Sequence, residues 1–300
     1  MKKRIITVVY MILMLSFLMS ACSNKEAPEP TRIPTQPVET ETVPLNGDAE
    51  IEYESGAKYT GQVVDGKRSG QGKMTFADGA EYEGTWENDV RNGEGTFRWA
   101  DGSIYTGQWT NDLRNGEGTF TGTDGSSYSG QWKDDLFHGS GTMKYSDGSV
   151  YEGNWESGKR IGKGIFTWLN GAKYDGDWAD DGRCGIGTMV FADGTVYVGQ
   201  WANDLCNGKG TMQRPDGTLY AGDFVDDVCH GQGMMTYPNG DIYEGTWENG
   251  YRSGYGKMTF VDGDSYAGDW KNDVRSGYGI YTFADGNVME CNWENDAPVQ

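Results

Sequence analysis

Residues 243–263 read Tyr-Glu-Gly-Thr-Trp-Glu-Asn-Gly-Tyr-Arg-Ser-Gly-Tyr-Gly-Lys-Met-Thr-Phe-Val-Asp-Gly, and this stretch decides the fold. Tyr243, Gly245 and Trp247 alternate with polar residues, so on an extended chain all three point to one face. A Gly-x-Gly follows, and after its second glycine alternation resumes with Met258 and Phe260. The closing Asp262-Gly263 is a turn dipeptide. Two alternating runs divided by turn residues predict a two-stranded hairpin with one aromatic and one polar face.

Working outward in both directions, the same pattern returns every 23 residues without insertion or deletion, from Tyr59 to Tyr266. The aromatic face is predicted to carry Tyr82, Trp86, Tyr105, Trp109, Tyr128, Trp132, Tyr151, Trp155, Tyr174 and Trp178 in its first half. Val63 and Phe224 stand where the other repeats have Trp. The linking loop Pro215-Asp216-Gly217 fits a type I turn followed by a left-handed glycine, a three-residue hairpin loop with a bulge. Its odd length sets Met212 opposite Tyr220 on the same face. Glycines between large rings leave room for rings of neighbouring strands to lie over the backbone. The whole reads as an all-β fold, an elongated single-layer antiparallel β-meander of tandem 23-residue hairpin repeats.

Ten repeats fill 59–288, with an N-terminal half-repeat at 46–58 and a C-terminal half-repeat at 289–300. Gly47, Ala49, Ile51 and Tyr53 match a second strand, whereas Met289, Cys291 and Trp293 match a first strand. That makes about 22 strands, a ribbon on the order of 100 Å long at ~4.8 Å per strand.

Composition agrees and excludes other classes. The chain has 47 Gly, 11 Trp and 18 Tyr in 300 residues, with glycine above twice its usual share of about 7%. Glycine does not fall at every third position, so collagen is excluded, and 13% aromatic residues oppose disorder. A net charge of −20 opposes nucleic-acid binding.

The first residues read as an address. Lys2, Lys3 and Arg4 precede an apolar run from Ile5 to Leu18, shorter than a membrane span of about 20 residues. Leu18-Met19-Ser20-Ala21-Cys22 resembles the lipobox of bacterial lipoproteins, which implies cleavage after residue 21 and diacylation of Cys22. An ordinary secretory signal or an uncleaved anchor is the alternative. Loss of the three leader cations from 25 basic residues would leave 22 against 45 acidic ones, net −23. Residues 22–45 hold five of the eight prolines among Glu and Thr, the composition of an extended tether.

The 243–263 stretch resembles the MORN repeat (membrane occupation and recognition nexus), and the resemblance covers about 250 residues. It implies an elongated antiparallel sheet and scaffold, dimerising or targeting roles, not a particular activity. His138 and His230 precede the Gly-x-Gly of their repeats and read as turn residues. No nucleophile triad, zinc spacing or phosphate loop is present, and no catalytic site, metal, cofactor or small-molecule substrate is expected. Repeated Asn-Asp and Asp-Asp pairs read as solvated turns. Cys184, Cys206 and Cys229 fall in the same loop of consecutive repeats, Cys206 and Cys229 at equivalent positions, and repeats are about 9.5 Å apart, too far for an undistorted disulfide. Free thiols are expected.

Arg68, Arg91, Arg114, Arg160, Arg183, Arg252 and Arg275 share one position and form a candidate anionic-ligand stripe along a sheet edge. Charge pairing within the same turn is the competing reading. The functional expectation is a non-catalytic, lipid-anchored extracytoplasmic scaffold of the bacterial cell envelope. It would meet the membrane through Cys22 and bind an envelope protein or a second copy. A cell-wall glycan binder using the aromatic face and a phospholipid-headgroup module are the alternatives.

Overall fold

The structure, a computed structural model, describes residues 45–299. The expected signal peptide, Cys22 and the tether up to residue 44 lie outside the described residues. Among the described residues, 23 strands and no helix form one open antiparallel sheet. Each strand pairs with the next in sequence, from Asn46–Glu52 at one edge to Ala297–Val299 at the other. The expected meander is therefore present, with one strand more than anticipated because Ala297–Val299 folds back on Val288–Glu294.

Two kinds of turn alternate along it. Gly217 adopts φ +92° and its N–H donates to Arg214 O at 3.0 Å, while Arg214 N–H donates to Thr218 O at 2.9 Å. This is the anticipated three-residue loop, and Met212 pairs with Tyr220 as the register argument requires. The other turn, Asn88-Asp89, has both residues left-handed at φ 48° and 72°. It is a two-residue type I′ loop, which Asn and Asp tolerate better than other non-glycine residues.

Strands of seven and nine residues alternate, and the difference is a bulge. Gly84 pairs with Gly95 but Trp86 pairs with Arg91, so Thr85 alone faces Asn92, Gly93 and Glu94. Because the excess is two residues, inward and outward positions keep their alternation on both sides of it. The ladder to the following repeat, from Gly93 opposite Trp109 to Arg98 opposite Ile104, runs without a shift.

One face of this single sheet is the core. Tyr82, Tyr105, Tyr128, Tyr151 and Tyr174 are fully buried, and Trp86, Trp109, Trp132, Trp155 and Trp178 nearly so. The glycine pair explains how a lone layer achieves this. A Cβ on Gly95 would sit 2.3 Å from Tyr82 Oη, and one on Gly84 would sit 2.4 Å from Gly95 Cα. The tyrosine therefore lies flat across its own hairpin, over the glycine of the neighbouring strand Val90–Arg98, as the glycine spacing anticipates. Its Oη donates to Thr85 O at 3.0 Å.

Candidate functional surfaces of the repeat array

Most repeats reach both ways. Trp109 Nε1 donates back to Gly95 O at 3.2 Å, and the indole stands edge-on to Tyr82, 5.5 Å between centroids. Arg91 reaches forward instead. Its guanidinium lies 4.4 Å from the Trp109 ring centroid, its Nε donates to Asp112 Oδ1 at 3.1 Å, and its Nη2 to Asp112 O at 3.0 Å. The backbones join in the same place: Arg91 N–H donates to Asp112 Oδ1 and Asp112 N–H to Arg91 O. The result is a cation stacked on an indole and pinned by a carboxylate of the next hairpin. Burial pulls Arg91 below the usual guanidinium value, and Asp112 pushes it back. Arg68, Arg114, Arg160, Arg183, Arg252 and Arg275 repeat the arrangement with Asp89, Asp135, Asp181, Asp204, Asp273 and Asp296.

This geometry corrects several expectations. The arginine row is not a solvent-facing stripe at a sheet edge but an internal line of clasps on the aromatic face. Side-chain exposure is 3% at Arg68 and 1% at Arg114, rising only to 20% at Arg275. The acidic partner belongs to the next repeat's turn, not to the same turn, so the second residue of these Asn-Asp and Asp-Asp pairs is structural as well as wetted. The ten rings expected to present an aromatic binding face are covered. His138 and His230 lie in strands, where their backbone carbonyls accept from Tyr128 and Tyr220. Cys184, Cys206 and Cys229 also lie in strands, and all are free thiols.

Three repeats lack the arginine, and in two of them the aspartate is lost as well. Phe137 and Cys229 occupy the arginine position, and 21 residues later the aspartate has become Gly158 and Gly250. Arginine and aspartate thus come and go together, a signal the internal repeats alone could have supplied. Cys206 is the exception, because Asp227 is retained. Its Oδ1 accepts the Cys206 N–H at 2.7 Å, and burial first, then this carboxylate, drives the thiol well above its ordinary value.

The opposite face is the exposed one, and it changes along the array. In the early repeats its positions hold Thr60, Lys73, Glu83 and Thr96. In the strands between residues 182 and 248 the equivalent or neighbouring positions hold Ile186, Val190, Val198, Met234 and Ile242, all exposed. Val190 pairs with Val196 and Ala221 with Met234, and Thr211 and Gln213 on the strand between them separate these two apolar clusters.

A family model for the MORN repeat matches ten consecutive segments from 59–81 to 266–288. The chain belongs to the MORN repeat family. The matched MORN boundaries coincide with the 23-residue units, and the half-repeats at either end fall outside them. No curated protein matches significantly. Solved structures resemble the MORN sheet only distantly. The SAS-4 (dCPAP) TCP domain of Drosophila melanogaster, solved with a proline-rich motif of Ana2 (dSTIL), is 13% identical. That match covers 59% of this chain and 90% of that one, at a TM-score of 0.34. The TCP10 domain of Danio rerio CPAP is 10% identical over 82% of this chain and 100% of that one, at a TM-score of 0.36.

Proposed function

We propose that this MORN array is a non-catalytic scaffold, lipid-anchored through Cys22 and facing outside the cytoplasm of a bacterial cell, that binds an envelope protein. The observation that carries the binding role is the pair of exposed apolar clusters around Val198 and Met234. Positions 198 and 234, hydroxyl-bearing or charged in the early repeats, are apolar there, and exposed apolar groups rimmed by polar residues mark protein contact. The anchor rests on the basic n-region, the apolar run and the small residues before Cys22. Phospholipid headgroups are a poor fit, because the guanidiniums are engaged internally and a net charge of −23, if the leader is removed, repels an anionic surface. Glycan stacking on Tyr82 to Trp178 loses its rings to burial.

Two variants test the proposal. Cys22→Ser is expected to leave the membrane fraction or to stall as unprocessed precursor; membrane-bound, mature-length Cys22→Ser contradicts the anchor. Val198→Glu combined with Met234→Glu is expected to lose partner cross-links in intact cells while melting as the parent does. Unchanged cross-links contradict the apolar contact.

A further inference from the structure

We infer that Tyr255 and Tyr278, on the exposed face of the last two repeats, form a stacking platform for a β-1,4-linked hexopyranose glycan. These are the most exposed aromatic side chains described, 65% and 54%, and they are distinct from the covered aromatic face. They occupy equivalent positions 23 residues apart, where the earlier repeats hold Gln71, Glu94, Glu117, Ser140, Lys163 and others without a ring. The departure is confined to the two repeats nearest one edge of the sheet.

Spacing and chemistry select the ligand. One strand, Ser265–Lys271, separates the two that carry these tyrosines, which sets them ~9.5 Å apart at the usual strand spacing. In a β-1,4-linked pyranose chain successive sugars turn half over, so every second ring shows the same face, at nearly this interval. Sugar C–H bonds carry partial positive charge toward the negative face of a phenol ring. Between and beside the rings stand hydrogen-bond acceptors for hydroxyls. Asp269 pairs with Tyr255 across the ladder, and Glu290 accepts the Tyr278 Oη–H at 3.1 Å, which fixes that ring. Two carboxylates at the platform repel anionic polysaccharides and leave uncharged chains as the class that fits. A curled α-1,4-linked chain would meet one ring but not both.

The test is calorimetric titration of the detergent-solubilised full-length protein with β-1,4-linked hexasaccharides of glucose and of N-acetylglucosamine, against an α-1,4-linked glucose hexasaccharide. At least one β-1,4 chain is expected to bind, and the α-1,4 chain about tenfold or more weakly. Tyr255→Ala and Tyr278→Ala should each weaken binding about tenfold, the scale of one lost ring contact. Tyr255→Phe, which keeps the ring, should bind as the parent does. All three variants should retain the parent's melting curve, since both side chains are exposed. Equal binding of α- and β-linked chains overturns the inference, as does full binding by the doubly substituted protein. So does absence of binding to either β-1,4 chain; loss of a protein cross-link on Tyr255→Ala with Tyr278→Ala would then mark a protein contact instead.

Discussion

Asp112 adopts φ 69° in a tight turn and also holds the buried Arg91 of the preceding hairpin. Asp227 occupies the equivalent turn at φ 68° but faces Cys206, with no guanidinium to hold. Glycine suits the backbone at both places, so substitution separates the two roles. Asp112→Gly should cost about 3 kcal/mol, because it strands a buried cation. Asp227→Gly should stay within about 1 kcal/mol, the scale of one backbone hydrogen bond partly offset by relief of the left-handed residue. Denaturant melts of both proteins check the difference. The tyrosines give a second expectation. Burial above all pushes Tyr59, Tyr151 and Tyr266 up to about 12, and Tyr82, Tyr105 and Tyr128 also upward. A phenol raised above its unfolded value of about 10 contributes stability that is complete below that pH and is lost as pH rises toward the folded value. The sheet should therefore unfold steeply between pH 10 and about 12, with the buried tyrosines ionising as the circular-dichroism signal disappears. Ionisation of the buried ring Tyr82 or its counterparts in an intact sheet would contradict the burial.

The hairpin was legible in the sequence because a strand's side-chain period is short and local. Tyr243-x-Gly245-x-Trp247 fixes which residues share a face, and Pro215-Asp216-Gly217 fixes the register of Met212 with Tyr220. Between the two glycines the reading stopped. Gly93 and Gly95 look alike in sequence, yet Gly93 sits in the bulge at φ 95° and Gly95 lies beneath the Tyr82 ring. The forward reach of Arg91 to Asp112 was missed because it spans 21 residues and crosses a repeat boundary, whereas charge pairing was sought within one turn. Exposure was likewise hidden. A single sheet ordinarily wets both faces, and only the fit of Tyr82 over glycine, the backward Trp109 bond and the Arg91 cover dry one of them. Gly95→Ala tests that fit, since its Cβ collides with the ring. It should destabilise the protein by about 1–3 kcal/mol, while Thr96→Ala on the exposed face changes the melt little.

Both edges of the ribbon resist joining another copy end to end. Asn46–Glu52 carries Asp48, Glu50 and Glu52, and Val288–Glu294 is partly covered by Ala297–Val299 with Pro298. Continuing the 23-residue period across such a junction would oppose Cys291 to Ala49, where inner hairpins place two glycines. Acidic and proline-bearing edges of this kind block strand addition. Within the array every clasp links a repeat only to its neighbour, so stability should be nearly one-dimensional and the units interchangeable. Removal of 105–127 would bring Arg91 opposite Asp135 and restore the same clasp, whereas removal of 105–126 would shift every downstream side chain to the other face. Small-angle scattering and thermal melts of these two deletions test the modular array most directly. The 23-residue deletion should shorten the particle by about 10 Å and keep the sheet and its melt, and the 22-residue deletion should lose downstream sheet. Equal behaviour of the two, or collapse of the whole array on loss of a single repeat, would contradict it.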